Sequence, residues 1–293
     1  MVSFLCAVRR LVLVLALAAL AGGCSTVQFA YSAGPTALAF MADSYLDLDS
    51  AQSALLKERI LAVREWNRTN HLVEYSQFLA RVRDRMAGTV SAEDARWAYD
   101  EARARWRVLG GRVADEIADM APQLNADNMK ALAHKYVRTN EEFTRERINV
   151  PLAKQLENRF ERTLEQAERW YGSFDDAQRT RIRALTDALP SNPSLILEDR
   201  KRRQAEFLAV LSAVVEKRIG RDAARTRLAT LITDWEVGRS PAYQAFATPY
   251  MAQSFQMAAQ IANLATPEQR QTAQRRVQRW VDDIAALGSR KEP

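Results

Sequence analysis

The sequence predicts an all-α fold, a helical bundle of two related halves joined by a long helix kinked at a proline. Three observations carry this expectation. Gly and Pro number only 10 and 9 among 293 residues, so helix breakers are scarce. Apolar residues recur at helical spacing with Arg and Glu between them. No stretch sustains the period-two alternation of a half-buried strand. With 47% hydrophobic residues, the chain can bury a sizeable core as one large domain or two small ones.

The elements follow in chain order. Residues 1–23 read as a removable secretory signal. Arg9 and Arg10 form its basic start, Leu11 to Leu20 an unbroken apolar run, and Ala21-Gly22-Gly23 a small-residue cleavage site. The apolar run is shorter than the roughly 20 residues that cross a bilayer as a helix. Residues 24–42 are expected to be a junction broken at Gly34-Pro35. Within it Phe29, Tyr31, Leu38, Phe40 and Met41 are placed where lipid can be reached, with packing on the domain as the plainer expectation.

Residues 43–288 are expected to form the helical domain, and 289–293 a tail. Leu56, Ile60 and Val63 mark one helix face; Phe78, Val82 and Met86 continue it; Ala95, Tyr99, Ala102, Trp106 and Leu109 mark another. The long joining helix is expected over Asn125 to Tyr171, with Pro151 inside it. Proline lacks an N–H and clashes with the preceding turn, so it must kink or break that helix. Leu189-Pro190-Ser191-Asn192-Pro193 and Ser240-Pro241 are later breaks.

Helix starts recur with one pattern: a capping side chain, then a residue three places on that reaches back. The pairs are Asp49 with Gln52, Asn125 with Asn128, Asp175 with Gln178 and Thr266 with Gln269, and Ser91 with Asp94 is a looser copy. Their order suggests an internal duplication, halves 43–146 and 173–288. Phe78-Leu79-Ala80 matches Phe207-Leu208-Ala209, and Trp106 matches Trp235, both at the same offset.

Leu20-Ala21-Gly22-Gly23-Cys24 resembles the lipobox of bacterial lipoproteins. The resemblance implies cleavage before Cys24, lipidation of its thiol and acylation of the new amino group. Two or more acyl chains hold a soluble domain to a bilayer stably, where one is marginal. Ser25 resembles the sorting pattern for the outer membrane, so the expected place is the cell envelope, facing the periplasm. The other cysteine, Cys6, lies in the signal, which leaves no free thiol and no disulfide. Without Arg9 and Arg10 the net charge falls from +6 to +4, weakly attracted to an anionic leaflet. Nucleic acid is excluded as a partner by that compartment.

Tyr45-Leu46-Asp47-Leu48 with Gln52, Trp66 with Arg68, Tyr75, and Arg239-Ser240-Pro241-Ala242-Tyr243 are further landmarks. With Cys24 they resemble a proteobacterial lipoprotein family of unknown function with an all-helical periplasmic domain. That family tends to have His after the Trp and Pro two before the Tyr, where this chain has Asn67 and Val73. The capping pattern also resembles the Leu-Thr-x-x-Gln motif of small periplasmic stress chaperones.

The residues point to no particular reaction. His71 and His134 are the only histidines and have no ligand spacing, so no metal and no cofactor is expected. No Gly-x-Ser-x-Gly elbow and no glycine-rich phosphate loop occurs, so no catalytic residue is assigned. Asp43, Asp47 and Asp49 are an acidic cluster able to meet a hard cation, with helix-end carboxylates the simpler reading. Within the basic run Arg200 to Arg203, Arg200 and Arg203 are candidates for an anionic partner, against a solvated face paired with Glu198-Asp199. Trp66, Arg68 and Tyr75 complete the binding candidates. The function expected is a membrane-anchored, non-enzymatic binding or scaffold protein whose partner is an envelope protein or peptide. A chaperone-like holdase is the alternative, and an envelope hydrolase comes third.

Overall fold

A computed structural model describes residues 26–234 and 238–289. The signal and Cys24 therefore lie outside the described residues, as does Trp235, the second member of the matched tryptophan pair. The described residues form α1 (Thr26–Leu46), α2 (Ser50–Arg85), α3 (Ala92–Met120), α4 (Ala126–Phe143), α5 (Leu152–Tyr171), α6 (Asp176–Asp187), α7 (Pro193–Val215), α8 (Arg221–Thr233), α9 (Pro241–Leu264) and α10 (Pro267–Ser289). A 3₁₀ turn at Ala121–Gln123 and a π turn at Thr144–Ile148 complete the chain, and no strand occurs among these residues. The fold is all-α. No described helix is long and apolar enough to cross a membrane.

Each helix start read from the sequence forms as a capping box. Asp49 accepts from the Gln52 N–H, Ser91 from Asp94, Asn125 from Asn128 and Asp175 from Gln178. Thr266 and Gln269 exchange the same pair of bonds at the start of α10. These bonds satisfy amide groups that a helix end otherwise leaves orphaned.

Two boundaries differ from expectation. The junction is not broken at Gly34-Pro35, because α1 runs through it with Pro35 inside and buried. The proposed joining helix is broken, not bent. It ends in the π turn, where the Asn149 N–H reaches Thr144 O at 2.8 Å, and a new helix begins after Pro151. Proline at a helix entry loses nothing, because that N–H would be unpaired anyway.

Helices of the two expected halves interleave. The 36 residues of α2 span about 54 Å, and α10 is its main packing partner. α3 packs chiefly on α8, and α4 on α7. One core cluster joins Ala114 and Ala118 of α3, Met129 and Leu132 of α4, Val210, Leu211 and Val214 of α7, and Leu228 of α8. A second lies between α5, α6 and α9, around Phe160, Leu164, Ile182 and Ile261. Helix α1 lies against α2, α4 and α10.

Candidate functional site

A groove of about 770 Å³ lies between α4, the π turn and α7. Alternate turns of two antiparallel-packed faces supply its walls: Ala133 and Val137 from α4, Ala205 and Leu208 from α7. That volume falls within the range of small-ligand pockets, about 300–1,000 Å³. Tyr136 also lines it and packs edge-on against Tyr45, ring centroids 6.3 Å apart. Burial, with Tyr45 beside it, pushes the Tyr136 phenol up to about 12, so the hydroxyl stays protonated.

The polar floor is an amide couple. Asn140 Nδ2 donates to Gln204 Oε1 at 2.7 Å. Asn140 is 8% exposed, and its Oδ1 has no partner. Glu141, Arg145 and Lys201 stand at the rim. The π turn sets Arg145 and Asn149 against the groove mouth; such bulges occur often at functional sites. Neither Asn140 nor Gln204 was singled out in the sequence. Their pairing spans 64 positions, and no local pattern announces it.

The predicted candidates lie elsewhere and do not converge on this groove. Asp43, Asp47 and Asp49 build the turn from α1 into α2. Asp43 Oδ1 accepts from the Leu48 N–H at 3.1 Å, Asp47 takes a left-handed conformation (φ 49°), and Asp49 caps α2. No group of metal-binding geometry occurs among the described residues. On α2, Arg68 is buried against Glu65 at 2.6 Å, and Trp66 lies on His71, ring centroids 4.6 Å apart. Tyr75 donates to Asn67 Oδ1 at 2.8 Å. Asn67 thus serves as a hydrogen-bond acceptor inside α2 packing.

The basic run divides around α7. Arg200 lies over the Phe143 ring at 5.7 Å, and Lys201 faces the groove. Arg202 and Arg203 turn to Asp199, at 3.0 and 3.2 Å. Arg239 approaches the same carboxylate at 3.6 Å, and its guanidinium covers Tyr243 at 4.3 Å. Ser240 caps α9 through the Tyr243 N–H, with Pro241 at the first helical position. The Arg239–Tyr243 landmark is therefore a helix start stitched to α7 through buried Asp199.

Two pairs of helix starts face each other through side-chain amides. Gln52 Nε2 donates to Gln123 O at 2.7 Å and to Asn128 Oδ1 at 3.0 Å. Asn128 Nδ2 donates back to Leu46 O at 2.9 Å. The second pair repeats this: Gln178 Nε2 to Leu264 O at 2.8 Å and Gln269 Oε1 at 2.9 Å, Gln269 Nε2 to Ser173 O at 2.6 Å. The residues that resembled a chaperone motif are thus engaged in holding helix ends together.

No curated protein and no solved structure matches the chain. The profile of a family of unknown function (DUF6279) matches residues 44–244. That span begins in the last turn of α1, includes the α4–α7 groove and closes one residue past Tyr243 of the Arg239 landmark. The chain belongs to this family of unknown function.

Proposed function

We propose that this protein is a lipoprotein of the bacterial envelope, acylated on Cys24, that binds an envelope protein or peptide without chemistry of its own. The periplasmic face of the outer membrane is the place the sorting pattern implies. The observation that carries the membrane reading is α1. It is described from Thr26, two positions after Cys24 in the sequence, and residues 26–42 hold no charged side chain. Phe29 and Phe40 share a face and are 69% and 75% exposed, with Leu38 and Met41 also exposed. Aromatic and aliphatic side chains so close to acyl chains suit the lipid–water boundary. Tyr31 instead packs inward, donating to Arg64 O at 2.9 Å, which fixes the helix on the domain.

Binding is favoured over catalysis by the ionisable groups. Among the described residues the carboxylates with displaced pKa values all move down: Glu65, Asp94, Glu101, Asp119, Asp127, Glu157 and Glu268. Hydrogen bonds are the leading cause in each, chiefly from Arg and Lys partners. A general acid working near neutral pH needs the opposite displacement.

Cell fractionation tests the anchor. The native protein is expected in the membrane pellet, with an intact mass equal to residues 24–293 plus fatty acyl groups. Cys24→Ala is expected to leave the signal uncleaved or, after cleavage, to release the protein to the soluble fraction. A native mass that includes residues 1–23 and no acyl group overturns the reading.

A further inference from the structure

We propose that the groove between α4 and α7 binds an extended peptide segment carrying a carboxylate, through the Asn140–Gln204 amide couple and the Arg145 and Lys201 rim. This deepens the binding reading above and rests on it.

The couple has a defined remainder. One amide hydrogen bond joins Asn140 to Gln204. It leaves Asn140 Oδ1 as a buried acceptor without a partner and gives the Gln204 amide nitrogen no partner among the described residues. Exchanging O and N in both side chains changes which residue holds which group and nothing else. A buried, unpaired acceptor and spare amide N–H groups always remain on two residues that line the groove. A residue of an extended peptide offers the complement, its own N–H and C=O on one edge of the strand. A buried acceptor left unsatisfied is costly, so a ligand donor that meets Asn140 Oδ1 as the side chain turns toward the groove is rewarded.

The walls and rim narrow the ligand further. Ala133, Val137, Ala205 and Leu208 give apolar contact without filling the space, and Val137 is 56% exposed. Arginine in this protein is heavily used in ion pairs, yet Arg145 and Lys201 have none among the described residues. Glu141 is the single acidic side chain of the lining, so the rim carries a net positive charge. A carboxylate on the peptide pairs with it, and a basic peptide is repelled.

Panning phage-displayed random dodecapeptides against the intact protein, held in mild detergent, tests this. Enriched peptides are expected to share Asp or Glu and to bind at least tenfold more weakly to Asn140→Leu. The double reversal Arg145→Glu, Lys201→Glu, on the surface and neutral to folding, is expected to lose acidic peptides at least tenfold and to enrich Lys- and Arg-bearing ones. Arg227→Glu, exposed on α8 away from the groove, is expected to change nothing. Helicity by circular dichroism certifies each variant as folded. No enrichment over blank, or enriched peptides indifferent to both groove variants, overturns the proposal. So does binding of phosphatidylglycerol vesicles or of glycan fragments that Asn140→Leu abolishes, though either would leave the broader binding reading standing. Acylation of Cys24 is measured separately and is untouched by any of these results.

Discussion

Gln52 and Asn128 each do two things at once. Each closes a capping box at its own helix start, and each donates to the chain entering the other helix. Asn128 is 2% exposed, so water cannot replace those bonds. Truncation to Ala removes its donor from Leu46 O and Asp47 O and leaves the Gln52 amide half-satisfied. Loss of a cap costs about 1 kcal/mol and a buried orphan group about 1–3 kcal/mol. Asn128→Ala is therefore expected to lower stability by about 2–4 kcal/mol in urea unfolding. Gln269→Ala, at the more open clasp, is expected to cost about half as much. Equal losses would mean that burial does not set the value of these amides. The capping half of each clasp was legible, because a cap and its partner are three residues apart. The cross-linking half was not, because Gln52 and Asn128 are 76 positions apart and either could have faced water. The same reason hid Asn140 and Gln204.

Helix packing is set in one place by a missing side chain. Gly110 and Gly111 are adjacent in α3, yet their surroundings are opposite. A Cβ on Gly110 would lie 3.0 Å from Ile232 Cγ2 and 3.0 Å from Thr233 Cγ2, both on α8, whereas one on Gly111 would meet nothing within 4 Å. Trp106 ties the same crossing by donating to Ile232 O at 2.9 Å. Alanine gains about 1 kcal/mol of helix propensity over glycine at either site. At Gly111 that gain is uncontested, so Gly111→Ala is expected to raise the urea midpoint. At Gly110 overpacking costs about 1–3 kcal/mol and outweighs it, so Gly110→Ala is expected to lower the midpoint. Two stabilised variants would show that α3 and α8 can separate freely. Prolines show how far such local reading extends. α4 gives way to the π turn at Thr144, and Pro151 opens α5 where its missing N–H costs nothing. Pro35 did not end α1, because it is buried against the bundle and tertiary packing offsets the lost hydrogen bond. Local sequence cannot weigh that packing.

Two related halves were expected from the order of caps and matched residues, and the paired amide clasps, Gln52–Asn128 and Gln178–Gln269, do share one geometry. The packing, however, does not divide at Pro151. Leu72 of α2 is 4% exposed, and Val277 and Leu287 of α10, its main partner, are 3% and 5% exposed. Met129 and Leu132 of α4 share a cluster with Val210 and Leu211 of α7. Cutting the chain at residue 150 would expose all of these surfaces. Each large apolar side chain uncovered forfeits about 1.5–3 kcal/mol, against a total stability of about 5–15 kcal/mol for a folded domain. A handful of such losses exhausts it. Residues 26–149 and 151–289, produced separately, are therefore expected to lack cooperative thermal unfolding by circular dichroism. Mixed together, they are expected to regain helicity and a melting transition, because the missing faces are then supplied in trans. The intact chain is expected to unfold in one step, with tryptophan fluorescence and circular dichroism coincident. A fragment that melts cooperatively alone would make the halves independent domains. In that case the α4–α7 groove, whose walls come from both sides of the cut, would open and close with their relative motion instead of standing preformed.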